Sequence, residues 1–117
     1  MNAQITMTAH STPKKILTNF DLENIVDTSD DWIKSRTGIE QRYIVEDGEA
    51  SSDISTRIAE KLLQKSKIKA REIDLIIVGT VTPDHYTPST AAIVQKNIKA
   101  CNAWGFDLSA ACSGYIF

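Results

Sequence analysis

The sequence is poor in the residues that staple small proteins together. Only two of its 117 residues are cysteine and only two are histidine. Cys101 and Cys112 stand too far apart for a C-x-x-C metal pair, and with His10 and His85 as the only imidazoles a metal site is not expected. Two cysteines also exclude a disulfide framework, while five glycines and three prolines exclude a collagen-like or low-complexity chain. Long apolar runs are missing. No window approaches the ~18 consecutive apolar residues that a membrane span needs, and the first residues lack the basic flank and apolar core of a secretory signal. The expected compartment is therefore the cytoplasm, with no membrane partner. An excess of positive charge is missing as well: 13 Lys and Arg stand against 15 Asp and Glu, a formal net charge of -2. Phosphate binding needs a clustered basic surface, so a nucleic-acid partner is not expected. The one basic cluster, Lys65, Lys67, Lys69 and Arg71, alternates with Ser66, Ile68 and Ala70. It reads as a solvated helix end and loop, where cations complement the helix dipole.

What is present has ordinary globular proportions, 42% hydrophobic and 24% charged residues, enough for one compact domain over 1–117. Gln4 to Ala9 alternates polar and apolar residues at period two and predicts a half-buried strand. Thr18 before Asn19-Phe20-Asp21-Leu22-Glu23 predicts a capped short helix ending near Val26. Asp27 to Asp31 repeats the cap signal ahead of Trp32, Ile33 and Arg36, and Gly38 suits a left-handed helix stop. Ile39 to Ile44 reads as extended. Ser51 or Ser52 is expected to cap a helix whose Ile54, Ile58, Leu62 and Leu63 form a core stripe. Asp74 to Val81 reads as a strand buried on both faces of a parallel sheet. A loop from Thr82 to Pro88 leads to a helix over Ser89 to Ile98, with Ala92, Ile93 and Val94 inside and Gln95 and Lys96 outside, and Ala103 to Leu108 is a further strand. Helices alternating with strands predict an α/β fold.

Two groups of residues are candidates for chemistry. Ser109-Ala110-Ala111-Cys112-Ser113-Gly114 follows a strand and opens a new segment. Small residues let the backbone turn sharply there, and the unpaired N–H groups of a helix start favour negative sulfur and can hold a developing oxyanion. Taken alone, the pattern is also that of a buried structural cysteine, the reading that applies to Cys101. Trp32 and Arg36 are four positions apart, so a helix places indole and guanidinium on one face, able to sandwich a flat aromatic group. Spacing alone leaves open that Trp32 packs in the core while Arg36 pairs with Glu40 or Asp31.

Longer stretches carry a resemblance. Leu17 to Glu23, Val26-Asp27-Thr28-Ser29-Asp30-Asp31-Trp32-Ile33-Lys34-Ser35-Arg36-Thr37-Gly38-Ile39, Asp74 to Val78 with Thr80, Thr82-Pro83-Asp84, Pro88-Ser89-Thr90 and Phe106 to Gly114 fall in the order and spacing of one family. The chain resembles the N-terminal portion of β-ketoacyl-acyl-carrier-protein synthase III, the initiating condensing enzyme of bacterial type II fatty-acid synthesis. Thr8-Ala9-His10-Ser11 departs from the family's Gly-containing opening. The resemblance implies the incomplete N-terminal half of a thiolase-like, five-layered αβαβα fold, normally a homodimer, interrupted just after its nucleophile. It implies that Cys112 takes an acyl group, usually acetyl, from acyl-coenzyme A, and that the acyl-enzyme condenses with malonyl-acyl-carrier-protein to give a 3-oxoacyl product and carbon dioxide. Acyl-coenzyme A is then a substrate, and no resident cofactor or metal is implied.

On the same basis Thr28, Trp32 and Arg36 match positions that hold the coenzyme A nucleotide, and Thr87 matches a loop position at the partner subunit's acyl pocket. A small residue there permits starters longer or more branched than acetyl. The family's enolate-stabilising His and Asn match neither His10 nor His85, both expected to be exposed, and fall beyond Phe117. The family's carrier-protein patch is likewise not the Lys65 to Arg71 cluster. The 117 residues by themselves are therefore expected to be inactive. The alternatives are a related condensing enzyme of secondary metabolism, or a noncatalytic half-domain that needs a partner.

Overall fold

The structure, a computed structural model, describes residues 3–117. The chain divides into two compact units, Thr12–Gly48 and a larger one drawn from Met1–Ser11 and Glu49–Phe117.

The smaller unit runs β1 (Lys15–Thr18), α1 (Asn19–Glu23), α2 (Asp30–Thr37) and β2 (Gln41–Ile44). The two strands pair antiparallel, from Lys15 opposite Ile44 to Thr18 opposite Gln41, with both helices in their connection. Thr18 caps α1 as expected. Its hydroxyl accepts the Asp21 N–H at 3.1 Å while the Asp21 carboxylate accepts the Thr18 N–H at 2.8 Å, a reciprocal box. The helix ends at Glu23, earlier than Val26, and the Glu23 side chain accepts the Asp30 N–H of the next helix at 2.7 Å. In α2, the Ser29 hydroxyl accepts the Trp32 N–H at 3.1 Å, and Gly38, at φ 71°, closes the helix with its N–H on the Lys34 carbonyl at 2.9 Å.

A polar residue holds this unit together. Asn19 is fully buried. Its amide donates to Asp30 at 2.9 Å and to the Ile39 carbonyl at 2.7 Å, and its carbonyl oxygen accepts from Arg42 at 2.8 Å. Asp30 also pairs with Lys34 at 3.0 Å. The hydrogen bonds from Asn19 and then Lys34 hold the Asp30 carboxyl below its ordinary range, and the bond to Asp30 raises the Lys34 ammonium. Ile33 is the one buried hydrophobic residue of this unit among the described residues.

The larger unit runs α3 (Ser51–Ser66), a 3-10 turn at Ala70–Glu72, β3 (Leu75–Gly79), α4 (Thr90–Asn97), β4 (Trp104–Leu108) and a second 3-10 turn at Ala111–Tyr115. The strands pair parallel, Leu75 with Trp104 through Gly79 with Leu108, and α4 makes the crossover. The α4 helix packs on both strands and on α3, burying Ala91, Val94, Ala100 and Ala103. Ile58, Leu62 and Leu63 of the α3 stripe are half-buried and line, with Ile76 and Val78, an apolar depression of about 510 Å³.

Several expectations need correction. Neither Ser51 nor Ser52 caps α3. Ala50 holds that position, its N–H bonded to Asp53 at 2.9 Å, while Ser51 donates its hydroxyl to the Thr82 carbonyl at 2.8 Å. The Ser52 N–H goes to Asp84 at 2.9 Å, so a carboxylate from the loop after β3 replaces the local hydroxyl. Gln95 is not outside: its amide donates to the Ala100 and Ala103 carbonyls at 3.2 and 2.7 Å and folds the turn after α4. Gln4 to Ala9 forms no strand, because a strand needs a neighbour's N–H and C=O groups and none pairs with this segment among the described residues. Within these 117 residues β3 is covered on one face. Ile76 and Val78 face the helices, whereas Leu75 and Ile77 are 39% and 47% exposed. The open face continues on β4 as Trp104 and Phe106, whose ring centroids lie 5.9 Å apart.

Two predictions follow from this packing. A Cβ at Gly105 would lie 2.6 Å from the Ile76 carbonyl oxygen and 3.1 Å from the Ala91 Cβ, so Gly105→Ala destabilises the larger unit by about 1–3 kcal/mol; an unchanged urea midpoint would contradict this. In the smaller unit, a carboxyl whose pKa is depressed on folding stabilises above its unfolded value, 3.8 for Asp30, and loses that contribution as pH falls through the folded value. The difference in melting temperature between parent and Asp30→Asn therefore narrows with acidification below about pH 4, and a pH-independent difference would count against the Asn19–Asp30–Lys34 network as its origin.

Candidate active-site residues

Cys112 owes its position to the end of the parallel strand pair. The Thr80 N–H bonds the Leu108 carbonyl at 3.2 Å, extending the ladder to the last residue of β4. The chain then reverses through Ser109 and Ala110 into Ala111, whose φ of 45° lies in the left-handed region. An alanine there costs about 1–2 kcal/mol relative to ordinary backbone. The segment that follows is a 3-10 turn rather than an α-helix, closed by the Ser113 N–H on the Ala110 carbonyl at 3.0 Å. The turn lies against the end of β3 at Gly114, where an added Cβ would stand in ordinary contact, 3.7 Å from the Gly79 Cα.

The Cys112 residue is exposed within these 117 residues. The backbone N–H groups of Ala111 and Cys112 have no hydrogen-bond partner among the described residues. Unpaired donors flanking an accessible thiol suit both negative sulfur and a tetrahedral oxyanion. Cys101 is exposed too, contrary to the burial expected of it, because it falls on the turn after α4, with its sulfur 3.7 Å from the Asn102 side-chain oxygen.

The residue that sequence reasoning passed over is Asp107, on β4 five positions before the cysteine. Its carboxylate accepts the Thr90 N–H at 2.6 Å and the Ala91 N–H at 2.8 Å, and the Ser89 hydroxyl accepts the Ala92 N–H at 3.2 Å. The legible signal was a carboxylate inside the apolar run Trp104 to Leu108, which must find donors if it points inward. Thr87 sits exposed in the loop between β3 and α4, beyond the Asp84 anchor, with exposed His85 and Tyr86 beside it.

The other candidates lie in the smaller unit. Trp32 is 58% exposed, so it does not pack in the core. Arg36 pairs with neither Glu40 nor Asp31: Lys34 takes Asp30 and Glu40, and the Arg36 guanidinium has no ion-pair partner among the described residues. Indole and guanidinium are thus both free on one exposed face of α2, with half-buried Thr28 just before the Ser29 cap. Among the described residues no group of three or more His, Cys, Asp or Glu is placed to hold a metal, and no helix is long and apolar enough to cross a membrane.

No protein-family model matches the chain. It is similar to the β-ketoacyl-[acyl-carrier-protein] synthase III of Streptococcus sanguinis, 56% identical over 98% of this chain and 35% of that protein. The crystal structure of 3-oxoacyl-[acyl-carrier-protein] synthase III from Aquifex aeolicus superposes with a TM-score of 0.89 at 49% identity, covering 93% of this chain and 35% of that one. A priming β-ketosynthase from a polyketide biosynthetic pathway matches at a TM-score of 0.85 and 33% identity, over 90% of this chain and 31% of its own. The chain spans about a third of the length of the curated relatives it matches. Its α/β fold and its sequence agree throughout with that third, and the chain belongs to the β-ketoacyl-acyl-carrier-protein synthase III family.

Proposed function

We propose that this chain supplies the nucleophile and the coenzyme A grip of a synthase III type acyltransferase that initiates type II fatty-acid synthesis. The carrying observation is an exposed Cys112 on a strand-end turn with unpaired N–H groups beside it, in a chain 56% identical to a named synthase III. The Cys112 thiolate attacks the thioester carbonyl of acetyl- or another acyl-coenzyme A. A carbon–sulfur bond forms to Cys112 as that to coenzyme A breaks, and the coenzyme leaves as its thiol. Malonyl-acyl-carrier-protein then loses carbon dioxide, its enolate carbon attacks the acyl group, and the 3-oxoacyl product departs as the Cys112 thiol is regenerated. Two moderate barriers replace one high one.

Trp32 and Arg36 serve to stack on and pair with the coenzyme's nucleotide, Thr28 adds a polar contact, and Thr87 borders the acyl pocket. No resident cofactor or metal has a part. The working enzyme is a cytoplasmic homodimer. The His and Asn that stabilise the enolate belong to the remaining two thirds of such a synthase, and stabilisation of this kind is commonly worth about 3–4 kcal/mol per donor. The 117 residues alone therefore do not condense. A secondary-metabolism ketosynthase is the weaker reading, since the match to the polyketide priming enzyme is 33% against 56% for the synthase III.

The test exchanges these 117 residues for the matching segment of the Streptococcus sanguinis synthase. Exposure to acetyl-coenzyme A is expected to place one acetyl group on the Cys112 peptide, and none after Cys112→Ser. Acetyl found elsewhere, or retained by the serine variant, would sink the assignment. Trp32→Ala and Arg36→Ala are each expected to raise KM for acetyl-coenzyme A roughly ten-fold with kcat nearly unchanged; an unchanged KM would remove them from the coenzyme's site.

A further inference from the structure

We propose that Asp107 is the positioning residue of Cys112, a role that rests on reading Cys112 as the acyl-accepting nucleophile. A helix start leaves its first N–H groups without partners. In α4, two of these are taken by the two oxygens of one carboxylate, and that carboxylate stands on β4, not on the helix or the residue before it. An ordinary local cap would leave the strand free to shift. Here Ser89 already caps the Ala92 N–H, so the Asp107 contacts tie the strand's far end to the helix in addition to finishing the helix.

The tie acts where the strand ends. Leu108, the next residue, makes the last ladder bond, to the Thr80 N–H at 3.2 Å. Beyond it come the left-handed Ala111 and the thiol. The reversal between Leu108 and Cys112 has few holds of its own: the Ser113 bond to Ala110 and the ordinary packing of Gly114 on Gly79. A strained backbone at Ala111 persists only if its surroundings over-determine it. The carboxylate is the charged and geometrically most demanding of these surroundings, since both its oxygens are engaged within 2.8 Å. Releasing β4 from α4 lets the turn relax and averages the orientation of the unpaired Ala111 and Cys112 N–H groups around the sulfur.

The test is alkylation by iodoacetamide of the Streptococcus sanguinis synthase carrying these 117 residues in place of its matching segment, read peptide by peptide so that Cys101 serves as an internal control on the turn at the far end of α4. Hydrogen exchange of the 95–104 peptide reports on the packing of that turn. Asp107→Ala is expected to slow alkylation of Cys112 about five-fold while the Cys101 rate and the exchange stay as in the parent. Asp107→Asn, which keeps one acceptor oxygen but sets an N–H donor against the second helix N–H, is expected to recover the rate only in part, between Asp107→Ala and the parent. Ser89→Ala removes a cap of the same helix without touching β4, and is expected to leave Cys112 unchanged. An equal Cys112 rate in parent and Asp107→Ala overturns the proposal. So does a change at Cys101 and in exchange that parallels the one at Cys112, or an effect of Ser89→Ala as large as that of Asp107→Ala, because each would reduce Asp107 to a helix stabiliser. Acetylation of Cys112 is a separate readout: its absence alongside Asp107-dependent alkylation would overturn the nucleophile reading and leave the positioning intact.

Discussion

Four backbone N–H groups at the start of an α-helix have no partner inside it, and how α4 satisfies them organises the larger unit. Asp107 takes two and Ser89 a third. Because Asp107 belongs to β4, capping the helix also sets how the crossover helix lies against the strand pair. The α3 helix repeats the device with Asp84, which draws the loop after β3 onto the Ser52 N–H. Two helix starts held by carboxylates from distant segments thus fix the strand ends and loops from which Cys112 and Thr87 project.

The smaller unit solves a different problem. With Ile33 as its one buried hydrophobic residue among those described, burial of apolar area contributes little. Asn19 replaces it by joining Asp30, the Ile39 carbonyl and Arg42, and so ties α1, α2 and β2. A buried amide is stabilising only when its donors and acceptor are satisfied, and here all have partners. With α2 anchored through Asp30 and Ile33, Trp32 and Arg36 are left free on its exposed face. Lys34, not Arg36, takes the available acids.

Local signals were legible wherever a residue's role depends on its sequence neighbours. The Thr18 cap, the cap within Asp27 to Asp31 and the Gly38 stop are as the sequence implies, because each bond spans four residues or fewer. The alternation of helix and strand gave the α/β class. Misreadings occurred where partners come from afar. Ser51 and Ser52 looked like caps, yet the acceptor at Ser52 is Asp84, and Gln95 looked like a surface residue, yet it holds the Ala100 and Ala103 carbonyls. Gln4 to Ala9 carries a strand pattern without a strand, since the pattern specifies a face and not a neighbour.

The sequence by itself determined the helix boundaries set by caps and stops, the α/β alternation and the family, because these reside in short-range hydrogen bonds, hydrophobic period and motif order. Only the tertiary structure decided that Asp107 clamps α4, that Arg36 rather than Lys34 stays unpaired, and that Trp32 and both cysteines are exposed. Hydrogen-bond partners and burial are properties of which segments meet, and the meeting of β4 with α4, or of α1 with α2 and β2, is written in no single stretch of chain.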